Sequence, residues 1–205
     1  PGDTLVAMPR SPWVSLALAG LFSVCASAQE LPFTHFTPGS GVASLPSASV
    51  QKIVQDHQGY IWLAFYSTGI ARYDGHSMET YGVADGLADP TVREIVEDAA
   101  HRLWIGSEGG LVVSEKALQG LAPGERLRFA ANVGATRLTR SRIRRNCVLA
   151  APDGWVWIGT QDGIVRYRFA AGGRLESDRI DLGAIEKPAN VLALHRRADG
   201  SVLAG

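Results

Sequence analysis

Nucleophilic or metal-assisted catalysis needs imidazoles, carboxylates or thiolates gathered at short, regular spacing, and this chain has few such groups to gather. Its five histidines, His35, His57, His76, His101 and His195, are scattered, with no i,i+4 pair and no His/Cys ligand spacing. His57 and His101 fall in equivalent turns, which points to solvent-facing loop positions. No metal and no cofactor is expected. Asp56, Asp98, Asp153 and Asp199 could be acid/base carboxylates or calcium ligands, but no D-x-D-x-D-G loop accompanies them. A residue that returns in repeat after repeat is scaffold, so these four read as structural turns. No catalytic residue is assigned.

Binding chemistry is better represented. Tyr60, Phe65, Tyr66 and Trp155 stand beside turns and are the candidate aromatics for facing a small-molecule or glycan ligand. Trp62, Trp104 and Trp157 could also stack on sugars. Their equivalent strand positions favour packing between sheets, with each ring N–H seeking a partner. Arg137, Arg140, Arg142, Arg144 and Arg145 place five cations in nine residues. The alternation of Arg140, Arg142 and Arg144 fits one solvated face of a strand or connector, an anionic ligand or partner surface being the other reading. The 20 basic and 20 acidic residues balance, so net charge gives no reason to expect nucleic acid or anionic membrane as partner.

The elements that must position these groups follow from an internal repeat. Val50, Ile53, Asp56, Gly59 and Trp62 return as Val92, Ile95, Asp98, His101 and Trp104, at identical offsets. A third copy runs through Val148, Asp153 and Gly154 to Trp157, and a fourth from Val191 and Leu194 through Asp199-Gly200 to Leu203. The spacings are 42, 53 and 46 residues. After each Trp comes a second block: Gly69-Ile-Ala-Arg72-Tyr73, then Gly110-Leu-Val-Val, then Gly163-Ile-Val-Arg166-Tyr167. Copy one carries an extra residue near 64–67, which predicts a bulge or a longer hairpin loop. Within that copy, strands are expected at 50–56, 61–65, 70–73 and 77–81, separated by Asp/Gly turn chemistry.

Four short antiparallel strands in about 45 residues match one blade of a β-propeller. The expected fold is therefore all-β: about four blades of four strands in an incomplete ring. A β-sandwich and a helical repeat are the alternatives. The first does not explain the recurring Trp, and the second needs long 3.6-residue periodicity that is missing. With only Cys147 retained after any leader is removed, no internal disulfide is expected.

The pattern V-x-x-I-x-x-D-x-x-G-x-x-W followed by G-[IL]-x-R-Y resembles the two-component regulator propeller repeat. The stretch Asp85-Gly86-Leu87 leading to Val92 is similar to that family's inter-repeat segment. His101, Ala151 and Arg197 depart from the pattern, as does Arg145. The resemblance implies the periplasmic input region of a membrane-bound sensor, non-catalytic, able to pair as a homodimer, and coupled to a downstream histidine kinase or diguanylate cyclase module. Other readings are an exported propeller enzyme of the streptogramin-lyase type and an interaction scaffold. Residues 1–28 read as a cleaved export signal, with 1–7 as an upstream extension, an apolar run at 13–24 and Ala26-Ser27-Ala28 before the cleavage point. A membrane anchor is disfavoured by the shortness of that run, and a lipoprotein signal at Cys25 by the preceding Val24. The domain reading is then 29–205 as propeller repeats, cut within the fourth.

Overall fold

The computed structural model describes residues 35–39, 41, 44–122, 124–133, 136–137, 139–181 and 190–205. The leader assigned to 1–28 lies outside the described residues. The repeats all fall within one compact unit, Phe36–Gly205.

The first repeat folds as a meander of β1 (Val50–Gln55), β2 (Ile61–Phe65), β3 (Ile70–Tyr73) and β4 (Met78–Tyr81), hydrogen-bonded in that order. The second gives β5 (Val92–Glu97), β6 (Leu103–Ser107), β7 (Gly110–Ser114) and the short β8 (Phe129–Ala130). A two-stranded ladder of β9 (Asn132–Val133) and β10 (Thr136–Arg137) comes next in the chain. The third repeat gives β11 (Val148–Ala150), β12 (Val156–Thr160), β13 (Gly163–Phe169) and β14 (Leu175–Ile180). The fourth contributes β15 (Leu194–Arg196) and β16 (Val202–Ala204) as a pair. The wider spacing between Trp104 and Trp157 accommodates the β9–β10 ladder and a 3-10 turn at Leu118–Gly120. Neither has a counterpart in the periodic motif.

The strand pairing explains the irregularities. β1 and β5 each carry a register shift, at Val50/Lys52 and at Val92/Glu94, so this bulge belongs to the repeat. The extra residue of copy one lengthens the β2–β3 loop to Tyr66–Gly69, against Glu108–Gly109 between β6 and β7.

Radial order comes from three apolar layers, each shared by two successive sheets. Trp62, Ile70 and Tyr81 of the first sheet pack with Val92, Ile95, Leu103, Ile105 and Val112 of the second. Trp104, Leu111 and Val113 of the second pack with Val148, Val156, Ile158 and Tyr167 of the third. Ile164, Trp157 and Leu149 of the third pack with Val191, Leu194 and Val202 of the fourth repeat. The edge strands β1, β5, β11 and β15 lie next to one another in that sequence. A sandwich has no such serial arrangement, and the regular helix consists of short 3-10 turns among the described residues.

A polar clasp locks each of the first two Trp rings. Trp62 Nε1 donates to Asp56 Oδ2 at 2.8 Å, while Asp56 Oδ1 accepts the amides of Gln58 and Tyr60. Trp104 Nε1 donates to Asp98 Oδ2 at 2.7 Å, and Asp98 Oδ1 accepts the amides of Ala100 and Arg102. Both carboxylates are buried. One side chain thus satisfies the turn and the ring it faces, which is how a polar group is kept inside a small sheet.

In the third repeat Ala151 takes the Asp position, and Trp157 Nε1 is buried with no hydrogen-bond partner. Asp153 is exposed and caps only the Trp155 amide, at 3.2 Å. Restoring the clasp with Ala151→Asp should raise stability by about 1 kcal/mol, since an orphaned indole N–H gains an acceptor. Urea unfolding checks this; a variant no more stable than the parent would show that an Asp at 151 does not form the clasp with Trp157.

Candidate functional site

The strands alternate in direction, so the β1–β2 and β3–β4 turns share one end of each sheet. The β2–β3 loops and the connections between sheets share the other. This separates the sequence-selected aromatics. Tyr60 and Trp155 sit at the first end and are half-buried, each beneath a guanidinium. Arg72 Cζ lies 4.8 Å from the Tyr60 ring centroid, and Arg166 and Arg168 lie 4.4 and 4.5 Å from that of Trp155. Arg72 is held in turn by Glu79, and Arg166 by Asp178, at 2.8 and 2.6 Å. These are cation–π stacks built into the blades.

Phe65 is a correction. Facing a ligand was the expectation, but its ring is fully buried with Leu63 and Ala71, against Leu45, Val50 and Met78. The turn-side position was visible in the sequence, while the apolar cover from residues before β1 and from β4 was not.

Tyr66 stands at the other end, on the lengthened β2–β3 loop, with half its surface (51%) exposed. Beside it Arg93 of β5 places Cζ 5.2 Å from the ring centroid. Arg93 also donates through Nε and NH2 to Glu108 Oε1, at 2.9 and 2.7 Å. Arg142 Nε pairs with the other oxygen of Glu108. Arg93, Arg142, Arg144 and Arg145 line a recess of about 250 Å³.

The arginine run is therefore an extended connector into β11. Ile143 is fully buried against Gly106, and Arg142 on one side of it is exposed. Arg140 is exposed too, and the Arg137 side chain lies outside the described residues. Guanidiniums lining one recess around a single carboxylate, beside an exposed phenol, make a surface suited to an anion with a flat apolar side. Sequence reasoning selected Tyr66 and the run 142–145 separately. It had no signal for Arg93 and Glu108, because their links to Tyr66 and Arg142 reach into the neighbouring repeat and the connector.

A second recess, of about 700 Å³, runs along the innermost strands and is lined by residues such as Lys52, Gln55, Glu97, Asn146, Leu149 and His195. Next to it Glu94 is fully buried. Its Oε2 accepts the Asn146 amide at 2.5 Å, and Lys52 Nζ lies 2.6 Å from Oε1 in an ion pair that is not an aligned hydrogen bond. That arrangement ties β1, β5 and the approach to β11 together electrostatically.

Elsewhere, the Arg126 guanidinium beside Asp85 holds that carboxyl below the usual carboxylate range. Burial pushes the Cys147 thiol up, which leaves it a poor nucleophile.

His57 and His101 lie in equivalent turns, His57 exposed and His101 half-buried. The sheet-to-sheet packing, which no sequence signal announced, brings their rings to 3.7 Å between centroids, with Glu97 bonded to both.

Stacked antiparallel sheets sharing apolar layers, with an Asp–Trp clasp in successive turns, make this chain a β-propeller. Residues 44–67, spanning β1, its turn and β2, match the family model described as "Two component regulator propeller".

Among solved structures, the chain is similar to the extracellular domain of BT4673 from B. thetaiotaomicron, assigned to a putative hybrid two-component system. The TM-score is 0.55 at 20% identity, over 84% of this chain and 20% of that one. The extracellular domain of BT3049 from the same organism, with the same assignment, gives 0.52 at 19% identity, over 78% and 20%. A catalytically inactive virginiamycin B lyase from Staphylococcus aureus, solved with quinupristin, gives 0.52 at 13% identity, over 79% and 51%. These likenesses establish the fold. The chain spans about a fifth of the length of these extracellular domains. No curated protein matches it in sequence.

Proposed function

We propose that this chain is part of the periplasmic input region of a membrane-bound signal-transduction sensor. In this reading it binds an anionic small molecule or glycan without chemically altering it. The observation that carries the reading is the arginine-lined recess, with Tyr66 stacked on its Arg93, on a propeller of which residues 44–67 match the two-component regulator propeller model. The phenol offers a flat face for a sugar ring, and the guanidiniums offer paired donors for a carboxylate or sulfate. Glu108 is engaged by Arg93 and Arg142, so it serves to fix their forks and not to accept a proton from substrate. Because the recess draws on three repeats, an occupant would bear on the angles between blades, and a change there is what a downstream kinase or cyclase module would read. The output module, export to the periplasm and any homodimer belong to this proposal.

Titration calorimetry with trigalacturonic acid, a sulfated disaccharide and neutral maltotriose tests the recess. One or both anionic probes should bind and maltotriose should not. Tyr66→Ala and Arg144→Gln should each weaken binding about tenfold, or about 1.4 kcal/mol, with an unchanged thermal midpoint. Equal affinity for maltotriose, unaltered affinity in both variants, or failure of both anionic probes would refute this assignment of the site.

A further inference from the structure

We infer that His57, Glu97 and His101 form a site for a divalent transition metal of the Zn2+ class, clasping the first blade to the second. His57 belongs to the β1–β2 turn. Glu97 ends β5, and His101 lies in the β5–β6 turn. The two turns belong to different sheets, yet their side chains converge. Glu97 Oε1 is 2.5 Å from His57 Nδ1 and 2.7 Å from His101 Nδ1. Glu97 Oε2 accepts the His57 backbone amide at 2.9 Å, which fixes the carboxylate plane. One donor atom from each residue lies within 4.8 Å of the others. The imidazoles keep 27% and 35% of their side-chain surface exposed, so an ion has a way in.

The backbone gives an independent reason to look for a function. His101 has φ +60°, where the other repeats place Gly59, Gly154 and Gly200 at +91°, +84° and +87°. A side chain rarely adopts this left-handed conformation, and a non-glycine residue held there points toward a site. Glycine would fit the turn better, and histidine puts an imidazole 3.7 Å from the one contributed by the neighbouring blade.

The donor set selects the metal. Two imidazole nitrogens and one carboxylate oxygen suit Zn2+, with a fourth position left for water or an exogenous group. Ca2+ and Mg2+ favour all-oxygen shells. Two ligand atoms on a tetrahedral ion with bonds of about 2.0–2.1 Å stand roughly 3.3 Å apart. The cluster therefore opens slightly on binding, and the rings splay from their 30° stack so that the Nδ1 lone pairs converge. Each imidazole then carries its proton on Nε2, and the hydrogen bonds to Glu97 give way to coordination.

The test uses the metal alone, on the chain after chelator dialysis and without a histidine tag. Calorimetry should detect about one Zn2+ per chain, a raised thermal midpoint with Zn2+, and neither effect with Mg2+ or Ca2+. Co2+ should give a visible absorption band. His57→Ala and Glu97→Gln should each weaken Zn2+ at least about tenfold. His101→Gly should do the same while the apo protein stays folded, since it restores the residue the turn prefers. His76→Ala should change nothing. No Zn2+ binding to the parent chain, or Zn2+ binding that persists unweakened in His101→Gly and His57→Ala, would overturn the inference and leave a hydrogen-bonded pair of turns.

Discussion

Replacing Trp104 by alanine should destabilise the protein by about 3–5 kcal/mol, the range for removing a large buried aromatic. The indole is fully buried between the second and third sheets, with Tyr167 and Phe169 at 6.2 and 5.9 Å between ring centroids. Truncation opens a cavity the flanking strands cannot collapse into, because both are fixed by their own ladders. It also removes the donor that Asp98 Oδ2 holds at 2.7 Å, inside a buried turn. Trp157→Ala should cost less, about half as much by the same reasoning, because that ring is half-buried and its N–H makes no hydrogen bond. Urea unfolding of both variants with a common m-value is the measurement. Equal losses at the two positions would contradict the role given to the clasp.

Gly86→Ala should be of similar severity, about 3 kcal/mol or more, combining left-handed strain with a backbone collision. Gly86 has φ +102°, and an added Cβ would stand 2.0 Å from the Phe129 carbonyl oxygen. That carbonyl belongs to β8, which pairs with β7, so relief requires moving the outer edge of the second sheet. Gly120→Ala is the control. Nothing lies within 4 Å of its added Cβ and its φ is not left-handed, so the change should be neutral or slightly stabilising. Thermal melts would decide: a Gly86→Ala midpoint close to that of the parent would mean the connection between sheets is looser than its geometry implies.

The parts legible in the sequence were those whose causes are local. Asp56 and Gly59 mark a turn by their own backbone preferences, and short segments bounded by such turns mark strands at 61–65 and 70–73, so β1 to β4 fall where the motif places them. The recurring Trp announced packing between sheets, and the buried rings of Trp62 and Trp104 do that. What escaped depends on how one sheet sits against the next. His57 and Glu97 are forty residues apart, and their contact arises from blade packing that no spacing rule encodes. The links from Arg93 to Tyr66 and from Glu108 to Arg142, which reach outside the second sheet, escaped for the same reason. Phe65 was misplaced because a strand residue next to a turn can still be covered from outside its own hairpin. The β9–β10 ladder sits in the one long interval, where the periodic signal lapses.

Sharing apolar layers between consecutive sheets makes the molecule mechanically a row of coupled links. A sheet with partners on both flanks is braced twice, while damage at one junction reaches distant sheets only by passing through each intermediate one. Loosening or tightening a single junction is then a message that travels in order along the row, with an amplitude set by the stiffness of the weakest link it crosses.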